Sequence, residues 1–262
     1  PAVVAFVEHY HPDMVPCLAP IVSPMVASAR VIRRMHGAQV KVVFIGPCVA
    51  KKGEMLSEVL PREIDHVVVY DELRRMLQEH NITPEAVKSS DFDPPHAGPG
   101  GLFPIGGGLL QAADIEENLM TGEVVTANGR QDFVEAIKEF ETGDMDVQLL
   151  EVLACQGCIS GPGFRTDAAL FRRRRRVSRY VRMRAAEIDV EQWRRDIARF
   201  DDLDLSRGYC TDDQRLNSPS EEEIRLVLVR MGKSGPEDEL NCGACGYASC
   251  REHAIAICKG LA

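Results

Sequence analysis

No apolar run in this chain approaches the roughly 18–20 residues needed to cross a bilayer, and no secretory signal is visible. An excess of positive charge is also missing. With 31 Lys and Arg against 40 Asp and Glu, the net charge is −9, which argues for solubility and against general nucleic-acid binding. There is no repeat of the solenoid kind. A starting methionine is absent too: the chain opens on Pro1 and stops at Ala262 inside a helical pattern. It therefore reads as a fragment of a cytoplasmic protein, and a targeting segment outside it is left open.

What is present is an ordinary globular composition. The 262 residues are 45% apolar and 27% charged, enough for one large or two medium domains with a real core. Nine cysteines are unusual in number and placing. The count is odd, and most lie in tight C-x-x-C clusters. In an unsecreted chain such clusters read as metal or redox sites rather than as a disulfide framework. One basic run, residues 172–176, reads either as a solvated helix face or as a contact for a partner or an acidic cofactor.

The pattern alternates strands with helices. A helix is expected over 23–37, where Ser23-Pro24 opens a stripe of Met25, Val26, Ala29, Ile32 and Met35, and Gly37 ends it. Short apolar runs at 40–45, 66–70, 123–127 and 147–153 read as strands, the first of them buried. Helices are expected at 71–80, 109–120 and 133–140, and a Pro- and Gly-rich loop at 91–108. This alternation predicts an α/β layer structure. Residues 168–200 read as helical and charged, and 201–220 as a linker. A capping box of Ser220 and Glu223 opens a last helix before a small cysteine module.

Two thiol-bearing loops follow strands. Cys48 lies past the Gly46-Pro47 corner, and Cys155 lies past the 147–153 run. In α/β folds sites gather at the carboxyl ends of strands, so both loops can face one cavity. The second reads A-C-Q-G-C-I-S-G-P-G, with Cys155 and Cys158 in C-x-x-C spacing. Gly157, Gly161 and Gly163 let backbone approach a bulky inorganic group. Thiolates here suit an iron–sulfur cluster or zinc. Zinc wants four closed ligands, and no histidine lies near either loop in sequence. Buried free thiols are the plain alternative. Lys51 and Glu54 follow Cys48 at three-residue steps and share a helix face. They read either as a cation beside an anionic cluster with a proton-carrying carboxyl, or as a surface ion pair of a few tenths of a kcal/mol.

G-P-C-V-A-K-K-G-E resembles the P-C-x-x-K-x-x-E motif of [FeFe]-hydrogenases. E-V-L-A-C-Q-G-C-I-S-G-P-G resembles their final cysteine motif, and G-L-F-P-I-G-G-G-L-L resembles the glycine-rich segment between the two. The resemblance covers roughly residues 1–180. It implies hydrogenase-like sheets flanked by helices around an H-cluster, a [4Fe–4S] cube joined by a thiolate to a two-iron unit with CO and cyanide. Carried over, Cys48 and Cys155 would bind the cube, and Cys158 would bridge it to the diiron unit. Lys51 would contact a cyanide, and Glu54 would stand on the proton route. The chain departs from the family in three places. C-Q-G-C is one residue shorter than C-P-G-G-C, G-P-G replaces G-G-G, and a T-S-C-C-P-like motif is not in the chain.

N-C-G-A-C-G-Y-A-S-C places Cys242, Cys245 and Cys250 in C-x-x-C-x-x-x-x-C spacing. Gly243 and Gly246 let the loop wrap a cluster, and the segment resembles the small [4Fe–4S] module of corrinoid iron–sulfur and Rnf-type proteins. Zinc is the weaker alternative. Cys258 lies eight residues past Cys250, or about 12 Å along a helix. It is expected as a packed thiol on the face of Ala254, Ile257 and Leu261. Cys17 and Cys210 are expected to be structural, and His96 to be an ordinary loop histidine.

The expected organisation is an H-cluster domain at 1–200, a linker at 201–220 and a [4Fe–4S] module at 221–262, each domain truncated at its outer end. Two functions follow from the resemblance. One is reversible H2 oxidation and proton reduction by a hydrogenase-like oxidoreductase. The other is a redox or H2 sensor, or an electron relay, with [4Fe–4S] clusters and little turnover. Partners would be a redox protein or a downstream signalling domain.

Overall fold

A computed structural model describes all 262 residues. They form two compact units, residues 1–211 and 212–262. In chain order the first holds α1 (Ala2–Tyr10), α2 (Pro24–His36), β1 (Val43–Gly46), α3 (Ala50–Met55), β2 (His66–Val69), α4 (Tyr70–Glu79), α5 (Gly108–Ala112), β3 (Val124–Asn128), α6 (Arg130–Thr142), β4 (Leu149–Leu153), α7 (Leu170–Ala185) and α8 (Val190–Ala198). The second holds α9 (Glu221–Arg230) and α10 (Cys250–Cys258).

The first unit contains two β–α–β crossovers. β1 and β2 pair in parallel, from Val43 opposite His66 to Gly46 opposite Val69, with α3 between them in sequence. β3 and β4 pair in parallel, from Val124 opposite Leu149 to Asn128 opposite Leu153, with α6 between them. Parallel neighbours need a crossover, and a helix is its usual form. The expected α/β layering is therefore present, as two small two-stranded sheets. Beside β1 and β2, α2 buries Met25, Val26 and Ala29 against Val42, Leu60, Ile64 and Val67. A second core joins Val7 and Val15 to Phe133 and Ile137 of α6, with Phe6 edge-on to Phe133 at 5.1 Å between ring centres.

Several expectations are corrected. The first strand starts at Val43 rather than at residue 40, and it is not buried: Val43 and Ile45 are 48% and 43% exposed. A two-stranded sheet covers only one of its faces. The helix expected at 109–120 is only α5. Asp114 takes a positive φ of 55°, and the Ile115 N–H bonds back to the Leu110 carbonyl at 2.9 Å, closing the helix end. The charged stretch at 168–200 breaks into α7 and α8, because Asp189 caps the second by accepting from the Gln192 N–H. Helix α1 was not expected. Residues 204–210 are not free chain. Ser206 bridges Ile21, the Arg207 N–H donates to the Pro20 carbonyl, and the Tyr209 hydroxyl reaches the carbonyls of Ala19 and Ile21, both at 3.0 Å.

In the second unit α9 and α10 pack Ile224 and Leu228 against Ala254, which is fully buried. The Ser220–Glu223 capping box is present in both directions. Leu261 lies beyond the end of α10 and is 64% exposed, so it is not on a packed face with Cys258. No helix of either unit is long and apolar enough to cross a membrane.

Candidate metal centre

Three loops close on one another at the carboxyl ends of β1 and β4. The first is the corner Gly46-Pro47-Cys48. The second, running from Cys155 to Gly163, lies directly on it: the Gly163 N–H donates to the Pro47 carbonyl at 2.9 Å. A Cβ at Gly161 would stand 2.5 Å from that same carbonyl oxygen, which leaves no room for any side chain there. The third is the glycine-rich turn before α5. The Ile159 N–H donates to the Pro104 carbonyl at 3.3 Å, and a Cβ at Gly157, whose φ is +77°, would lie 2.5 Å from it. The glycines thus let three backbone segments touch.

The thiols of Cys48, Cys155 and Cys158 share one electrostatic neighbourhood. Burial pushes the Cys158 thiol up, and Cys48 and Cys155 push it further, while Lys51 pulls it down. Burial likewise raises Cys155, with Cys48 adding to it. Each thiolate therefore opposes ionisation of the next, and a bound cation is what would hold them ionised together. The donor set is all sulfur and fits iron in a cluster, or another thiophilic metal. No three His, Cys, Asp or Glu side chains stand in a closed ligand arrangement.

Behind Cys48 stands a buried ion network. The Lys51 ammonium donates to the Ser23 hydroxyl at 2.8 Å and to Glu54 Oε2 at 2.9 Å. Arg207 donates from Nη1 to Glu54 Oε1 at 3.0 Å. The side chains of Lys51, Glu54 and Arg207 are 11%, 1% and 6% exposed. Burial is the largest single influence and disfavours the Glu54 carboxylate, but the charge and hydrogen bond of Lys51, joined by the Ser23 hydroxyl, leave the carboxyl below its usual range. The surface-pair alternative for Lys51 and Glu54 is thereby excluded.

Three contributors were not recognised from sequence. Ser23 reads as a helix cap, yet its hydroxyl serves Lys51 and makes no cap hydrogen bond. Arg207 falls in the presumed linker. Glu151 of β4 sits inside the quoted motif, and its carboxylate accepts the Gly107 N–H at 2.7 Å, tying the glycine-rich turn to the strand that leads to Cys155. Burial raises the Glu151 pKa, against these backbone donors. Only the capping signal at Ser23 pointed at any of them.

In the second unit Cys242 and Cys245 are exposed, and Cys250, the first residue of α10, is half-buried. Gly243 and Gly246 both have positive φ, at 72° and 87°. The Asn241 side chain accepts the Cys250 N–H at 2.7 Å, so the loop folds back on the helix start. Cys258 lies half-buried at the far end of α10. Cys17 and Cys210 are exposed rather than packed. His96 lends only its carbonyl, to the Trp193 indole N–H at 3.1 Å. The basic run lies on α7, where Arg173 donates to the carbonyl of Ile159, next to Cys158.

The family model of the iron-only hydrogenase large subunit, C-terminal domain, matches residues 1–162, and an Fe–S cluster family model matches residues 238–262. The first match spans more than half of the chain, which belongs to the [FeFe]-hydrogenase family and is an iron–sulfur protein. Iron hydrogenase 1 of Clostridium pasteurianum is 26% identical over 201 residues, covering 60% of this chain and 35% of the relative. The chain thus spans about a third of the length of that curated relative. Among solved structures, an [FeFe]-hydrogenase described for stepwise H-cluster assembly aligns with a TM-score of 0.60 at 18% identity, over 80% of this chain and 74% of that one. A variant of an [FeFe]-hydrogenase from Chlamydomonas reinhardtii aligns with a TM-score of 0.58 at 19% identity, over 81% and 75%. At such identities the likeness is one of fold.

Proposed function

We propose that the first unit binds an H-cluster-like group through Cys48, Cys155 and Cys158 and exchanges electrons with a [4Fe–4S] cluster held by Cys242, Cys245 and Cys250. The observation that carries this is that the loops bearing Cys48, Cys155 and Cys158 pack on one another where Gly157 and Gly161 admit no side chain, inside a chain of the hydrogenase family. When bound, such a group supplies reversible H2 oxidation and proton reduction. The chain's own part is to hold the cluster thiolates, to exclude water with the Pro104–Gly107 and Cys155–Gly163 loops, and to place the Lys51 cation beside an anionic cluster. A cation there favours the more reduced state. The second cluster, in a module of the corrinoid-protein or Rnf kind, passes electrons to a redox protein or a downstream signalling domain. The basic face of α7 suits an acidic partner.

A second reading is a sensor or relay that turns over little H2. Two features favour it. The C-Q-G-C spacing is shorter than the family's, and the Glu54 carboxylate is occupied on both oxygens by cations. The test is an infrared spectrum of anaerobic protein matured with the diiron cofactor, read beside an H2-uptake assay. CO and cyanide bands with sustained uptake support the enzyme. Bands with H2-dependent cluster reduction but little uptake support the sensor. Absence of bands in protein that still holds iron–sulfur clusters sinks the H-cluster reading.

A further inference from the structure

We infer that Arg207 is a positioning residue that locks Glu54 as a fixed counter-ion for Lys51, so that Glu54 does not carry protons in this chain. The placement of Lys51 beside a cluster rests on the function proposed above. The ion network itself does not.

The argument starts from where Arg207 comes from. It lies outside the family-matched span of 1–162 and reaches the site from the segment that follows α8. Its backbone is pinned at the Pro20 carbonyl, its guanidinium stacks 4.7 Å from the Tyr209 ring centre, and Tyr209 is itself anchored to Ala19 and Ile21. The side chain is therefore held before it meets Glu54. Each oxygen of Glu54 then has its own cation: Oε2 has Lys51 at 2.9 Å and Oε1 has Arg207 at 3.0 Å. A proton carrier must bind and release a proton at working pH and must offer an oxygen to the next group. Here protonation would strip a buried guanidinium and a buried ammonium of their shared anion, which is costly. The groups facing Glu54 are Lys51 from its own helix, Ser23 from the start of α2, and Arg207. Lys51 and Arg207 are already cations, so neither is a base that could take its proton.

The same geometry assigns Arg207 its effect on Lys51. With Oε1 held by Arg207, Glu54 offers Lys51 one oxygen, and Ser23 supplies the second partner. The ammonium is thereby fixed one helical turn after Cys48 instead of folding fully onto the carboxylate.

The test uses the full chain, labelled with carboxyl-13C glutamate, and follows the Glu54 resonance by pH titration. Loss of the signal in Glu54→Gln assigns it. Expected in the wild type is a carboxylate that stays ionised well below the usual glutamate range, with Arg207→Met moving the titration upward and Arg207→Lys restoring most of it. Glu54 titrating near neutral pH, or an Arg207→Met titration identical to the wild type in a folded protein, would overturn the inference. In iron-reconstituted protein the first-unit cluster should become harder to reduce in Arg207→Met and recover in Arg207→Lys; an unchanged potential would overturn the positioning role. If the wild type holds no iron at Cys48, the function proposed above fails, while the carboxyl titration still decides the ion lock. Should Arg207→Met fail to fold, the wild-type titration and Arg207→Lys carry the test.

Discussion

The two units gather their thiols in opposite ways. In the second, Cys242, Cys245 and Cys250 lie within nine residues, on a loop that ends at the first turn of α10. In the first, Cys48 and Cys155 are 107 residues apart and come into one electrostatic neighbourhood only through the tertiary fold, on loops that follow β1 and β4. Closing a longer loop costs more chain entropy, though only slowly with length. The long-range site therefore depends on the packed cores around β1 to β4, whereas the short one depends mainly on turn geometry. The ionic surroundings differ likewise. The first unit contains the buried Lys51–Glu54–Arg207 network, while the ion pairs of the second, Arg215–Asp213 and Arg251–Glu221, are exposed.

The largest effects should separate the two sites. Cys155→Ser is expected to abolish the first cluster and leave the second, and Cys245→Ser to do the reverse. Iron per chain and electron paramagnetic resonance of anaerobic protein check this, and loss of both signals from either change would break the comparison. A smaller effect is expected from Gly161→Ala, whose new Cβ meets the Pro47 carbonyl. It should destabilise the first unit by about 1–3 kcal/mol and loosen its cluster, while the spectrum of the second stays as it was. Denaturant melts with cluster absorbance measure both.

Acid comes next. The Glu54 carboxyl is held below its unfolded range. Its contribution is therefore full above the unfolded value, about pH 4.3, and is lost as pH falls through the folded one. Glu54→Gln should flatten the acid limb of the first unit's stability curve, besides lowering stability at neutral pH by leaving two buried cations unpaired. An unchanged acid limb would count against the ion lock. The smallest effect belongs to the surface. Arg34 pairs with Asp202 at 2.8 Å, with both side chains more than half exposed. Arg34→Ala should cost less than about 1 kcal/mol, measured by thermal melting at low and high salt.

Much of this was legible from residues alone where the signal is local. The stripe at Met25, Val26 and Ala29, closed by Gly37, forms α2. The Ser220 and Glu223 pair forms a capping box, because both partners lie within one turn. The apolar runs at 66–70 and 147–153 contain β2 and β4, and the run at 123–127 covers all of β3 but its last residue, Asn128. The failures are equally physical. Helix α5 stops early because Asp114 turns left-handed, a choice its side chain permits but does not demand. The linker reading of 201–220 missed Arg207 because a lone arginine in a polar stretch carries no mark of burial. Its burial is set by Pro20, Ala19 and Ile21, far away in sequence.

By itself, then, the sequence determined the alternation of strands and helices, the glycines that let loops touch and the spacing of the thiols, since each depends on neighbours a few residues apart. Only the tertiary structure decided that Cys48, Cys155 and Cys158 share one neighbourhood and that Glu54 stands between two cations. Those facts rest on contacts between residues more than a hundred positions apart, where burial and charge act through space and leave no periodic trace along the chain.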